Sequence, residues 1–328
     1  MALKTANLEL YIYTGTSGNY TSNDLKYQMQ KGIVGENTKI LFEISELVKD
    51  YITQTFNDDY VSQCIWVTTV LTLYDESDIV YTYGSPSIET FLAVDGYGYF
   101  EDGINPLLLN NVLMTSNTIY LPENTEGKLP IFAEGVGKVT IDAVDTQITD
   151  NGNTNQKLQY VTIPQNSSTI QVYDTDDTTL LRTLKVNNVC EPKYTPLKIT
   201  FVNKLGAYQD LWCFKKSVEK ISITDERYKR NTIVNNSVSY PLYNPQEERY
   251  NTNAKQTITL NTGFINEDSN SAIEELFLSE NVWIRKDGKT LPVIPTTKSL
   301  TYKTSLNDKL ANYTIDFDFA YNKINNVR

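Results

Sequence analysis

Tyr313-Thr314-Ile315-Asp316-Phe317-Asp318-Phe319-Ala320-Tyr321 decides the fold class. Successive strand side chains point to opposite faces. Tyr313, Ile315, Phe317, Phe319 and Tyr321 therefore share one face, and Thr314, Asp316 and Asp318 share the other. A slip of one residue would bury two aspartates, so the pattern predicts a strand of firmly set register.

Upstream, Asp287-Gly288 follows Val282 to Lys286 and signals a tight hairpin. Ser271-Ala272-Ile273-Glu274 reads as a capping box, with Ile273, Leu276 and Phe277 as the helix face and Asn281 as the stop. Leu197 to Asn203, Leu211 to Phe214 and Lys255 to Gly263 read as further strands. Between them, residues 226–256 form a polar excursion of a length that is functional or partly disordered.

The front of the chain follows the same logic. Leu8 to Tyr13, Ile40 to Ile44, Cys64 to Tyr74, Ile79 to Tyr83 and Glu89 to Val94 are expected strands. Ser45 is the expected cap of a helix reaching to about Phe56. Asp95 to Gly103 is a loop rich in Gly and Tyr, and Asn105-Pro106 and Leu121-Pro122 mark loops. Leu158 to Ile163 and Thr169 to Tyr173 are strands between polar turns. The expected fold is mainly β and multi-domain, with β-sandwich-like domains, a few short helices and α+β character at the ends. The expected domains are 1–135, β-rich with one short helix; 136–190, a small all-β insert; and 193–328, a β-sandwich-like assembly domain with one short helix. Glu191-Pro192-Lys193 is the expected linker.

Composition narrows the function. The 328 residues include 23 Tyr, suited to half-buried strands, and no His. Without His, neither a Ser-His-Asp site nor an HExxH zinc site can be built. Cys64, Cys190 and Cys213 are far apart and contain no CxxC pair, as expected of reduced thiols. The start, Met1 to Thr5, has no apolar signal-peptide core, and the run Ile65 to Tyr74 is too short to span a bilayer. A chain folding in a cytoplasm is expected, with no membrane-spanning segment. Net charge is −11, which disfavours nucleic acid as the main partner. Residues 1–192 hold 10 basic and 25 acidic side chains, and residues 193–328 hold 19 and 15. An acidic front and a mildly basic rear suit attraction between subunits, and equally suit two domains that never meet a partner.

Motifs with chemistry are weak. Gly137-Lys138 lacks the Gly a phosphate loop needs five residues earlier, where Phe132 stands. Gly135-Val136-Gly137 lacks the third Gly of a dinucleotide site, and Gly-x-Ser-x-Gly is absent. Asp174, Asp176 and Asp177 lack the Gly and terminal Glu of a calcium loop and read as a solvated turn. Asp95, Glu101 and Asp102 beside Tyr97, Tyr99 and Phe100 form the only arrangement suggesting carboxylate chemistry on glycans, and a structural loop competes with that reading. Lys204, Lys215, Lys216, Lys220, Lys229 and Arg230 surround Trp212 and Phe214. Interleaved Asp210, Glu219, Asp225 and Glu226 favour an interface with an acidic neighbour, or a solvated strand face, over single-stranded nucleic acid. No catalytic, cofactor-binding or metal-ligating residue is assigned. Trp212, Phe214, Lys215, Lys216, Tyr97 and Tyr99 are the candidate assembly residues.

Three stretches carry a resemblance: Phe201 to Lys216, Phe42 to Ile52, and Leu300 to Lys309 with Tyr313 to Tyr321. They look like segments of virion proteins of tailed phages, notably the crAss-like phages of Bacteroidetes. The resemblance implies a ring-forming neck or tail protein below the portal, assembled in the host cytoplasm and contacting neighbouring tail proteins and the portal. DNA would pass through such a ring without specific binding. A head-fibre or receptor-binding protein touching surface glycan, through Tyr97 and Tyr99, is the alternative, and a carboxylate-based depolymerase the second. The resemblance carries no catalytic residue across.

Overall fold

The computed structural model describes residues 3–32, 39–80, 85–104, 111–232, 239–297, 299 and 310–324. Among the described residues strands make up 50% and helices 8%, which places the fold in the mainly β class with several sheets, as expected. The expected strand end at 81–83, Asn105-Pro106 and the stretch 300–309 lie outside the described residues.

The first unit is a four-stranded antiparallel sheet. Its elements are β1 (Leu3–Tyr13), β2 (Leu25–Gly32), the short helix α1 (Ser45–Lys49), β3 (Ile65–Asp75) and β4 (Ser87–Ala93), in sheet order β2-β1-β3-β4. Leu10, Ile12, Ile65 and Val67 share a face, and Val48 of α1 closes it. Residues 40–44 are not a strand. The helix is also shorter than expected. Ser45 sends both its N–H and its hydroxyl to the Glu43 carboxylate and does not cap, and Ile44 holds the cap position.

The second unit comprises β5 (Thr118–Pro122), β6 (Gly127–Phe132), β7 (Lys138–Ile141), β8 (Val144–Gln147), β9 (Leu158–Ile163), β10 (Thr169–Tyr173) and β11 (Leu180–Val189). Five of these form the sheet β5-β11-β10-β7-β8, and the β6-β9 ribbon packs across it. This is a two-layer sandwich, with Leu129, Ile131 and Ile163 facing Val139, Ile170 and Leu184. The hydrogen-bonded unit is wider than residues 136–190. β5 pairs in parallel with β11, and β6 pairs with β9, so both belong to it. Local patterning does not reveal such pairings, because the partners lie about thirty to seventy residues apart in sequence.

The third unit comprises β12 (Leu197–Val202), β13 (Tyr208–Cys213), β14 (Val218–Lys229), β15 (Glu247–Asn261), β16 (Ile265–Asn266), α2 (Asn270–Leu278), β17 (Val282–Lys286), β18 (Lys289–Pro295), β19 (Leu310–Ala311) and β20 (Thr314–Asn322). Its seven-stranded sheet runs β13-β12-β17-β18-β20-β15-β14. Ile315, Phe317 and Phe319 of β20 are buried and Thr314 and Asp316 exposed, as the alternation requires. Ile273 and Leu276 of α2 cover that apolar face. Asp287 and Gly288 take φ of 50 and 72°, the left-handed pair that a two-residue hairpin demands. The capping box is absent. A 3-10 turn at Glu267–Ser269 starts the helix early, so Ser271 lies inside the first turn and donates to Asp268 O at 3.3 Å. The excursion at 226–256 begins and ends as strand, because it holds the far ends of β14 and β15.

A strap from Ile52 to Cys64 ties the units together. Its Phe56 and Tyr60 enter an aromatic cluster with Tyr160 of β9, Tyr208 of β13 and Trp283 of β17. The Phe56 ring centroid lies 4.9 Å from that of Tyr208 and 5.3 Å from that of Trp283. Tyr60 donates to Asp210 at 2.6 Å, and Lys198 bonds Asp58 at 2.6 Å.

Candidate interaction site

The expected assembly residues divide between interior and surface. Phe214 is buried at 2% exposure, and Trp212 leans on the core of the second unit. Trp212 is occupied within the chain, because β13 carries it into the contact with β5 and β6, and Phe214 follows directly after β13 with its side chain turned inward. Lys215 and Lys216 are exposed. Lys215 binds Glu191 at 2.7 Å and so fastens the linker, and Lys215 and Lys216 border a shallow cleft with Tyr194 and the exposed Phe264.

Tyr97 and Tyr99 help to form a joint. Their loop lies on the turn at 203–206, where Tyr97 donates its N–H to Lys204 O at 2.8 Å. Lys204 Nζ stands 4.5 Å from the centre of the Tyr99 ring. A Cβ on Gly96 would come within 2.8 Å of Lys204 O, so only Gly permits this approach. Beneath the turn, buried Glu275 accepts from Thr115 at 2.7 Å and from Lys204 N–H at 3.3 Å. Burial pushes the Glu275 carboxyl above the usual carboxylate range, and burial likewise lifts the Tyr97 phenol well above its ordinary value. Of the other carboxylates singled out, Asp95 accepts from Gln54 at 3.1 Å, and Glu101 and Asp102 stand exposed in a 3-10 turn. Phe100 beside them is fully exposed. Among the described residues no group of three or more Cys, Asp or Glu side chains is placed to hold a metal.

The excursion expected at 226–256 belongs to an exposed two-stranded arm. β20 pairs with β15 only from Lys255 to Asn261, whereas β14 and β15 continue together to Lys229 and Glu247. Among the described residues, the seven residues Glu247 to Asn253 of β15 thus lie beyond the sheet with β14 alone, a reach of roughly 23 Å at strand rise. β14 is exposed along nearly its whole length, and Ile221, Ile223, Tyr228 and Tyr250 show apolar surface. Beyond the strands, the sixteen residues 231–246 carry no charge, and Tyr240, Leu242 and Tyr243 are exposed there, Leu242 by 92%.

The shaft of this arm is held by charge. Asp225 bonds Arg249 at 2.7 Å and Arg227 at 3.3 Å. Partial desolvation raises the Asp225 carboxyl, but the two guanidinium groups outweigh it and hold it below the usual range. Glu219 is lowered by its bond to Lys286, which fastens the root of the arm to β17. Opposed charges on a two-stranded ribbon keep its register where no core does. The sequence signal that would have found the arm is the uncharged, Tyr- and Pro-containing stretch between two charged ones.

No protein-family model, no curated protein and no solved structure matches this chain.

Proposed function

We propose that this chain is a non-catalytic structural subunit of a phage virion, a ring-forming neck or tail protein below the portal that builds the DNA exit channel and docks adjacent tail proteins. The observation that carries this reading is the β14–β15 arm, solvated on both faces and ending in exposed Tyr240, Leu242 and Tyr243. An apolar, uncharged tip on a charged shaft suits insertion into a neighbouring subunit. The phage resemblance of three segments supplies the setting. Heterologous contacts that close make rings, and the acidic front half suits a channel wall that repels passing DNA.

Electron microscopy of the virion tests this. The chain should form a closed ring at the junction of head and tail. A chain found only as a free monomer, in solution and in virions, overturns the reading. The fully exposed Phe100, next to Tyr99, favours a second reading, a head-fibre or receptor-binding protein that stacks aromatic rings on surface glycan. Binding of host polysaccharide that is lost in Phe100→Ala would select it.

A further inference from the structure

The seven-stranded sheet has one covered edge and one open edge. β13 lies against β5 and β6 of the second unit. Among the described residues β14 pairs with β15 alone. Natural sheets blunt open edges with bulges, prolines, very short strands or charged side chains. Over twelve residues β14 carries only the charges, and they are of both signs, so they repel an arbitrary strand while leaving a charge-matched one free to pair. The bulge in this hairpin falls on β15, where Asn251 takes φ of 49° and three residue steps answer two on β14. The outer strand therefore stays regular. Arg230 donates its N–H to Gln246 O, which sets the phase: even-numbered residues of β14 bond to β15, and odd-numbered residues turn their N–H and C=O outward.

We propose that the open edge of β14 binds β14 of a second copy, antiparallel about a two-fold axis at Ile223, in the subunit before it enters a ring. The side chains are self-complementary in that register. Glu219 falls opposite Arg227 of the second copy, Lys220 opposite Glu226, and Val218 opposite Tyr228, and the two-fold makes each pair twice. Both members of each pair lie on the same face of the joined sheet. Ile223 meets its own copy on the axis. Ile221 opposite Asp225 is the one mismatch, and Asp225 is already neutralised by Arg227 and Arg249. Centring the axis on Ser222 would set Glu219 against Asp225, and centring it on Thr224 would leave one opposite-charge pair, Glu219 with Lys229, where Ile223 gives two, so charge favours Ile223. A ring around a channel has a polar axis and no two-fold within it. The contact thus goes beyond the ring reading, and either can fail without the other.

Sedimentation velocity on the purified full chain tests the idea, with Glu219→Arg, Arg227→Glu and the double variant. The wild type should dimerise. Each single variant should weaken the dimer by about tenfold or more, since two like-charge pairs replace two attractive ones. The double variant should recover to within about threefold, because it restores both cross-strand pairs in reverse. It cannot restore the Glu219–Lys286 bond inside the chain, so recovery cannot come from repaired folding. As a second measurement, Ile223→Cys in a Cys190→Ser background should give a disulfide-linked dimer under mild oxidation, because Cα atoms facing each other in such a pair are about 5.5 Å apart. A wild type that stays monomeric at every concentration, a double variant no more dimeric than the singles, or no cross-link at 223 would overturn the proposal.

Discussion

Asn203 sits at 0% exposure where the turn after β12 meets the second unit. Its amide donates to Leu113 O at 2.6 Å and to Gln209 Oε1 at 2.9 Å. Its carbonyl accepts from Leu205 and Ala207 N–H at 3.0 and 3.1 Å. An interior amide that satisfies four partners leaves all four wanting when removed. Asn203→Ala should cost about 3 kcal/mol, read as a lower midpoint in urea unfolding with little change of slope. Gly96→Ala is a second residue-scale test. Its Cβ meets a backbone carbonyl, which cannot swing aside, so the loop must lift from the 203–206 turn. The expected loss is about 1–3 kcal/mol, with faster amide exchange at Tyr97 as the local readout. Neither role is legible in the chain alone. Asn203-Lys204-Leu205-Gly206 reads as an ordinary turn, and nothing nearby announces Leu113 or Glu275.

At the scale of the element, legibility follows burial. β20 was readable because one of its faces is core and the other solvent, and Asp287-Gly288 because backbone sterics allow few residues there. β14 was not readable as one long strand. Both of its faces are wet, so Ser222-Ile223-Thr224-Asp225-Glu226 shows no alternation, and a polar run of that kind is indistinguishable from a loop. Phe214 misled in the opposite way. Two lysines follow it and suggest surface, but the ring itself turns inward. The arm should be separable from the fold. Joining Thr224 directly to Asn253 through an Asn-Gly turn removes the projecting ribbon and leaves the Glu219–Lys286 anchor in place. The melting temperature should move by only a few degrees, since none of the described side chains removed is buried. Assembly into the virion should fail, as measured by the chain's absence from purified particles.

Across the whole molecule, the aromatic cluster of Phe56, Tyr60, Tyr160, Tyr208 and Trp283 gathers residues from all three units. Sequence reading found some strands of each unit but not this joint, because its members are scattered over more than two hundred positions. Phe56→Ala should cost about 3–5 kcal/mol and split one calorimetric transition into two. The same cluster makes the fold sensitive to alkali. Burial pushes the Tyr208 phenol up to about 12, and burial also raises Tyr60 and Tyr160. A phenol whose folded value lies above its unfolded value near 10 contributes stability that is intact below pH 10 and lost as pH rises toward 12 and beyond. Circular dichroism against pH should show a plateau to about pH 10 and then a cooperative loss.

The two unlike borders of the large sheet bear on how far any strand-by-strand growth can go. A border sealed by the molecule's own second unit behaves like a monofunctional monomer in polymer chemistry, which can be joined once and then stops the chain. A subunit of this kind can keep a long, regular and adhesive strand in water without risking a fibril, because the first partner to arrive uses up the only reactive end.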